Sequence, residues 1–267
     1  MNTVVKPAVT SSDFKAAMVD AIASGVLEQV VPPLEHYHTP DLYGRRIFVQ
    51  AGTVISTKVH KVEHITVALK GRCTVVDENG VKSEVVAPAV FITKPGTWRK
   101  VYAHDDVEWI TVHHCKEQDV EAIEKKLVCD TQEEFDKEDY LHVLEELNIT
   151  EKWARLISEN ERTWSGGPPL ETDYYIADSV REGKGVFAAK DFNPGDFIGS
   201  ARIGIMRTPI GRYTNHSGNP NCEFKAEPNR IVAVAVRPIK KGQEVTVCYR
   251  LARQANIEAT RLLEKSS

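Results

Sequence analysis

Apolar and polar positions change rhythm several times along this chain. Over residues 12–30, SDFKAAMVDAIASGVLEQV, apolar residues recur at roughly helical spacing behind a Ser-Asp start. That pattern predicts a helix, which Pro32-Pro33 ends. From about residue 43 to 113 the chain becomes a series of short Val/Ile/Thr-rich runs, at 45–50, 54–60, 64–69, 72–77, 83–87, 89–94 and 107–114. Gly, Asp and Pro-Gly turns separate them, and Glu78-Asn79-Gly80 is a strong hairpin signal. Many short strands at regular spacing predict an antiparallel sandwich or barrel.

Residues 116–161 return to helical periodicity. Glu117–Leu127 is amphipathic, Thr131 with Glu134 forms a capping box before FDKEDYLHVLEEL, and Thr150 is placed to cap EKWARLISENE. The run Ser165–Leu170, SGGPPL, breaks the pattern and reads as a linker. A second β-rich, turn-rich stretch covers about 173–250, and LARQANIEATRLLEK predicts a final helix. The fold class is mainly β with helical connections (α+β). Five segments are expected: an N-terminal helix and arm (1–42), a β-barrel (43–115), a helical connector (116–165), a second β domain (170–253) and a C-terminal helix and tail (254–267).

Composition narrows the classes of function. The formal charge of -4 over 267 residues gives no electrostatic case for nucleic acid as the main partner. No apolar run approaches the roughly 18 residues that span a bilayer, and MNTVVKPAVTSSDFK lacks the apolar core of a secretory signal. Cys73, Cys115, Cys129, Cys222 and Cys248 are scattered, odd in number and without a CxxC pair, so a disulfide framework or zinc knuckle is not expected. A reducing cytoplasm is the expected location.

The segment Gly52–His113 resembles a cupin, a double-sheet jelly roll, through GTVISTKVHKVEHITVALKG and APAVFITKPGTWRKV. Spacing back from Gly71 puts His64 at the Glu position of the family's first motif, His60 at its second His and Lys58 at its first. Arg99 stands where the second motif has a His. Neutral imidazoles ligate transition metals, whereas Lys and Arg do not normally do so. His113, on a later strand, makes His60, His64 and His113 candidates for a three-histidine site holding a divalent metal. The alternatives are an anion held by Lys58 and Arg99, or a jelly roll used only for packing or dimerisation. A homodimer through this domain is a further candidate, by analogy. His104 is a candidate by residue type. The His36/His38 pair sits between Pro33 and Pro40, which predicts a solvated loop, and His142 reads as a surface or packing residue on a helix.

Three later segments carry a second resemblance. They are Gly183-Lys184-Gly185-Val186-Phe187-Ala188, the run Arg212–Cys222 (RYTNHSGNPNC), and Gly242–Tyr249 (GQEVTVCY) with Arg237-Pro238-Ile239-Lys240-Lys241 just before it. Together they are similar to the SET domain, the fold of many S-adenosylmethionine-dependent protein lysine methyltransferases, over about Asp173 to Arg253. The resemblance implies a pseudoknot between the Asn-His loop and the C-terminal strand. It implies S-adenosylmethionine as cofactor, bound by Asn215 and His216 with Arg212 and Tyr213 beside them. Lys184, Gly185 and Val186 would add main-chain contacts, and Tyr249 would be the catalytic residue where cofactor and lysine meet.

This chain departs from the family pattern in places. Only the short segment Ser200–Gly211 precedes RYTNHS, where the family carries a longer insert. No cysteine-rich segment follows the tyrosine, and Cys248 replaces the usual acidic or Asn residue. The missing groove is expected from the 131–161 helices, the terminal helix or a second subunit. Trp153 and Trp164 are candidates to line a channel, with core packing as the alternative. A cupin-like domain, helices and a minimal SET-like module in one chain resemble small proteins encoded by bacteriophages and bacteria. The partner implied is a bacterial or phage protein lysine, and the competing reading is a non-catalytic binding or assembly protein.

Overall fold

The computed structural model describes residues 11–77, 80–159, 173–204 and 206–265. The expected hairpin residues Glu78 and Asn79, Trp164, and the linker Ser165–Leu170 lie outside the described residues. The chain divides into two compact units, one over Val9–Phe135 and the other principally Asp136–Ser267.

The first unit opens with helix α1 (Ser11–Ala23) and continues through β1 (Leu34–His38), β2 (Leu42–Val49), β3 (Val54–Ser56), β4 (Val59–His60), β5 (His64–Lys70) and β6 (Arg72–Asp77). Then follow β7 (Lys82–Val86), β8 (Ala89–Thr93), β9 (Arg99–Ala103), β10 (Val107–His114), α2 (Val120–Leu127), β11 (Val128–Cys129) and the start of α3 (Gln132–Glu146). Among the described residues, two large antiparallel sheets form, in the orders β1-β2-β10-β5-β8 and β3-β9-β6-β7, and β4 pairs β11 in a separate two-stranded sheet. Alternation decides which side chains face inward. In β10, Val107, Trp109 and His113 are buried while the residues between them are partly exposed, and in β5 His64, Thr66 and Ala68 are buried in the same way. Val49, Ala68, Val107 and Trp109 from one sheet meet Cys73, Val75, Val101 and Ala103 from the other in one apolar cluster. Two inner faces packed on a shared core make this unit a jelly roll of cupin type.

The second unit contains α4 (Glu151–Glu159), β12 (Tyr174–Asp178), β13 (Lys184–Ala188), β14 (Phe197–Ile203), β15 (Met206–Arg207), α5 (Pro209–Tyr213) and β16 (Asn215–His216). It ends with β17 (Cys222–Glu227), β18 (Arg230–Ala235), β19 (Glu244–Val247) and α6 (Tyr249–Lys265). Its sheet runs β12-β13-β19-β17-β18-β14-β15, with β16 pairing β19 off that path. Most partners are antiparallel, but β16 and β17 both lie parallel to β19. The core gathers Val186, Ile198, Ile210, Ile231, Ile239 and Val245, with Ala255 and Ala259 of α6 on the same cluster. Each of the large aliphatics contributes roughly 1.5–3 kcal/mol by leaving water.

Several local expectations meet the structure directly. Glu134 N–H donates to Thr131 Oγ1 at 3.2 Å and Thr131 N–H to Glu134 Oε2 at 3.4 Å, so the capping box forms. Trp153 N–H donates to Thr150 Oγ1, which caps α4. Others are corrected. The first helix ends at Ala23, not near residue 30, because Gly25 takes φ 73° and turns the backbone out of the helix. The Glu117–Leu127 helix starts only at Val120, where Asp119 accepts from Ala122 N–H. His36 and His38 are not in a loop. They sit on β1, paired opposite Arg45 and Tyr43, and the prolines flank that strand without interrupting it. Tyr249 does not end a strand: β19 stops at Val247 and Tyr249 opens α6, so the expected boundary between 253 and 254 falls inside a helix. Trp153 is 56% exposed, so it packs in no core.

Candidate functional site

In the first unit, three strands bring His60, His64 and His113 together. Their ligand-capable atoms all lie within 4.8 Å of one another, and all three residues are buried. The rings of His64 and His60 are 4.2 Å apart by centroid, and those of His64 and His113 also 4.2 Å. His60 Nδ1, His64 Nε2 and His113 Nδ1 are buried without a hydrogen-bond partner. His64 Nδ1 lies 3.1 Å from the Val62 carbonyl, which fixes the proton there and leaves a lone pair on Nε2. Burial, and after it the neighbouring imidazole of His64, push His113 down to about 3. Burial likewise holds His60 and His64 below the ordinary histidine value. Three neutral imidazoles with unused lone pairs are the donor set that suits a divalent transition metal.

The cations expected to hold an anion are placed differently. Lys58 is half-exposed and faces Glu124 at 3.3 Å and Asp130 at 3.7 Å, so its charge is already met by carboxylates. Arg99 donates to Thr93 Oγ1 at 3.3 Å. Arg45, paired with Glu124, lines a small cavity with Tyr43, His113, Ile123, Leu127 and Val128. His36 and His104 are engaged elsewhere, with Tyr43 OH and Thr74 Oγ1 respectively. His142 is exposed on α3.

In the second unit, the parallel pairing of β16 with β19 sets Asn215 opposite Thr246 and His216 opposite Val247. Tyr249 follows two residues later. Asn215 Nδ2 donates to Glu244 Oε1 at 2.8 Å and toward the carbonyls of Glu182 and Lys184 at 3.2 and 3.3 Å. The Gly183–Ala188 segment and the Asn-His loop are thereby tied to each other. Glu244 also accepts from Ser179 Oγ at 2.8 Å and pairs with Arg181. Asp136 of α3 is buried and accepts from Ser217 Oγ at 2.8 Å, from Gly218 N–H at 3.2 Å, and from Arg181. A buried carboxylate with this many donors fixes the turn after His216.

The side chain of His216 is fully engaged. Its Nδ1 accepts from Tyr249 N–H at 3.2 Å and its Nε2 meets Asp139 Oδ2 at 2.9 Å. Tyr249 O–H donates to the Thr214 carbonyl at 3.3 Å. Burial pushes the Tyr249 phenol well above its usual value, so it stays neutral. Tyr140, also of α3, sets its ring 6.2 Å from Tyr249 and 6.3 Å from His216. Arg212 stacks over the Tyr213 ring at 5.3 Å, while its Nε and Nη1 are buried without a partner. Two buried guanidinium donors without an acceptor are costly, and an anionic group is what would satisfy them.

The structure thus gathers Lys184, Gly185, Asn215, His216 and Tyr249 around one crossing of strands. Sequence reasoning missed Asp136, Asp139, Tyr140 and Arg181. The first three lie on a helix whose apolar and polar residues show almost no one-sided pattern, and no motif spacing links that helix to a loop some 80 residues later. Glu244 was legible as part of the final motif but not as the group that Asn215 binds.

Comparison with known proteins places a family on one part of the chain. Residues 202–250 match the family model for the SET domain. The histone-lysine N-methyltransferase set9 of Schizosaccharomyces pombe is 36% identical over 73 residues, which is 27% of this chain and 16% of that protein. The chain therefore matches about a sixth of that relative's length. Among solved structures, a conserved protein with a double-stranded β-helix domain from Klebsiella pneumoniae is similar, at 19% identity and TM-score 0.29, over 32% of this chain and 78% of that one. A cupin-2 domain protein from Shewanella frigidimarina is similar at 9% identity and TM-score 0.27, over 35% of this chain and 89% of that one. The two-sheet topology itself, not these likenesses, carries the cupin-like description. No helix among the described residues is long and apolar enough to cross a membrane.

Proposed function

We propose that this chain, which carries a SET domain at residues 202–250, is an S-adenosylmethionine-dependent protein lysine N-methyltransferase with Tyr249 at the transfer site. The observation that carries this reading is the crossing of β16 and β19, which brings Asn215, His216 and Tyr249 together beside the unsatisfied guanidinium of Arg212. Lys184, Gly185, Val186, Arg212, Tyr213, Asn215 and His216 would hold the cofactor. Asn215 and His216 have their side chains committed inside the protein, so their backbone atoms would make the contacts, as would those of Lys184, Gly185 and Val186. Arg212 would take an anionic group of the cofactor, with Tyr213 beneath its guanidinium. When bound, S-adenosylmethionine supplies an electrophilic sulfonium methyl group.

The chain's own residues do the rest by placement. Tyr249 is neutral and donates its proton to the Thr214 carbonyl, so the lone pairs of Oη remain to accept a hydrogen bond from a lysine amine. The rings of Tyr140, His216 and Tyr249 lie within 6.3 Å of one another by centroid, and burial of the amine beside them removes it from water, which favours its neutral, nucleophilic form. A bacterial or phage protein is the proposed carrier of that lysine. The five cysteines are free, which suits a reducing cytoplasm.

Calorimetry with S-adenosylmethionine tests the cofactor, and a labelled-methyl screen on bacterial lysate tests transfer. Binding by the wild type, weakened binding by Arg212→Met, and transfer abolished by Tyr249→Phe are expected. Binding without transfer to any protein would favour the competing reading of a binding or assembly protein.

A second reading applies to the first unit, on a separate observation: three buried imidazole nitrogens converge with no partner. We propose that His60, His64 and His113 hold a divalent transition metal there. Ile65, Leu69, Val90 and Ile92 are exposed on β5 and β8, and β8 is a sheet edge, which supports pairing of two copies through this unit. Light scattering of the full chain tests the dimer.

A further inference from the structure

We infer that Asp139, on α3 and outside the SET match, is a positioning residue for the Tyr249 site: it fixes the proton of His216 on Nε2 and so holds the Tyr249 backbone. This inference rests on the methyltransferase reading for its effect on transfer, but its structural content can be measured without it.

Tyr249 N–H can only donate, and it points at His216 Nδ1 from 3.2 Å. Nδ1 must therefore be bare, and in a neutral imidazole the proton then sits on Nε2. Nε2 faces Asp139 Oδ2 at 2.9 Å, an acceptor that requires that proton. The His216 side chain is 4% exposed and that of Asp139 19%, so water competes little for either contact. The other carboxylate oxygen is also used: Arg250 Nη1 donates to Asp139 Oδ1 at 2.9 Å. Arg250 in turn grips Glu146 with two bonds, of 2.6 and 2.8 Å. The line Glu146–Arg250–Asp139–His216 thus closes on the backbone of Tyr249, the residue before Arg250. Burial alone would raise the Asp139 carboxyl, but bonds from His216 and Arg250 hold it below the ordinary carboxylate value. It is an anion whenever the protein is folded at neutral pH.

An amide at position 139 would invert the arrangement. The Arg250 guanidinium has only donors, so the amide oxygen must face it, and the amide NH2 then faces His216 Nε2. His216 would have to accept at Nε2 and carry its proton on Nδ1, where it opposes the Tyr249 N–H. An Asn that replaces a histidine-orienting Asp selects the wrong tautomer in this way.

The experiment uses the full chain labelled with 15N-histidine. Two-bond 1H–15N spectra report which ring nitrogen of His216 is protonated, with the resonance assigned by its loss in His216→Gln. The wild type is expected to show the Nε2–H form, and Asp139→Asn the Nδ1–H form with a shifted Tyr249 amide. An Nδ1–H form in the wild type overturns the inference even if no variant folds. So does Asp139→Asn with the wild-type tautomer. In kinetics, Asp139→Asn should lower kcat by up to about 100-fold, the cost of a roughly 1 Å misplacement near the reacting groups, with cofactor KM changed much less. Asp139→Glu should recover part of kcat. Undiminished kcat in Asp139→Asn also overturns the positioning role. If the wild type transfers no methyl group, the methyltransferase reading fails while the tautomer measurement still decides this inference.

Discussion

Gly185 stands directly against the carboxylate of Glu244: a Cβ at position 185 would lie 2.4 Å from Glu244 Oε1 and 3.0 Å from its Cδ. That oxygen is also the acceptor for Asn215 Nδ2 and Ser179 Oγ, each at 2.8 Å. The second glycine of the Gly183–Ala188 segment is therefore a glycine so that Glu244 can reach the Asn-His loop. Gly185→Ala is expected to destabilise the second unit by about 1–3 kcal/mol, the usual cost of forcing an atom into a filled site. Thermal denaturation checks this, together with the Asn215 side-chain amide resonance. An unchanged melting temperature with an unshifted amide would count against the contact.

Tyr249 should leave a mark at alkaline pH. Burial raises its phenol above the usual value of 10. The folded chain then keeps the phenol proton after the unfolded chain has released it. The contribution is complete below pH 10 and is lost as pH rises from 10 toward the folded value. Wild-type stability, followed by urea denaturation, should fall more steeply above pH 10 than that of Tyr249→Phe, by up to about 1.4 kcal/mol per pH unit. Tyr249 should also contribute no phenolate absorbance until well above pH 10. Equal slopes in the two proteins would place the phenol in water.

Much of this architecture was legible in the sequence, and the reasons differ by region. The alternation through residues 64–69 and 107–114 announced a two-sheet domain because period-two burial leaves a direct trace in side-chain type. His60 and His64 were findable by motif spacing, and His113 by residue type on a strand. The Asn215–His216 run and the Tyr249 motif were visible because each is compact in sequence. What failed was long-range. Asp136 and Asp139 meet Ser217 and His216 across 81 and 77 residues, and acidic residues on an exposed-looking helix carry no sign of such partners. Helix ends failed for local reasons, at Gly25 and Asp119. The loop predicted at His36 and His38 failed because pairing with β2 outweighed the prolines at its ends.

Metal binding separates the two units experimentally. Full-length protein equilibrated with zinc or iron(II) and then desalted should retain about one equivalent per chain, as a three-histidine site with an open position would. His64→Ala and His113→Ala should each lose it, because two imidazoles hold such ions far more weakly. Tyr249→Phe, in the other unit, should retain the metal unchanged. Elemental analysis gives the stoichiometry, and cobalt(II) absorption reports the coordination. A wild-type protein that retains none of these metals would remove the site.

Asn221 should prove to be the bond that holds the final strand in place. It is 6% exposed. Its Nδ2 donates to the Glu244 carbonyl and its Oδ1 accepts from Thr246 N–H, both at 2.8 Å. One side chain thereby satisfies two backbone groups of β19, the strand that leads into Tyr249. Asn221→Leu keeps the bulk but leaves both groups unpaired, at about 1–3 kcal/mol each. Asn221→Asp retains the acceptor for Thr246 but sets a carboxylate oxygen against the Glu244 carbonyl, so its cost should also be large. Hydrogen exchange at the Thr246 amide reads the effect locally, without requiring the two units to unfold together. Loss of about 1.4 kcal/mol appears there as tenfold faster exchange. Thr246 protection unchanged in Asn221→Leu would show that β19 is held by its neighbours on either side and not by this side chain.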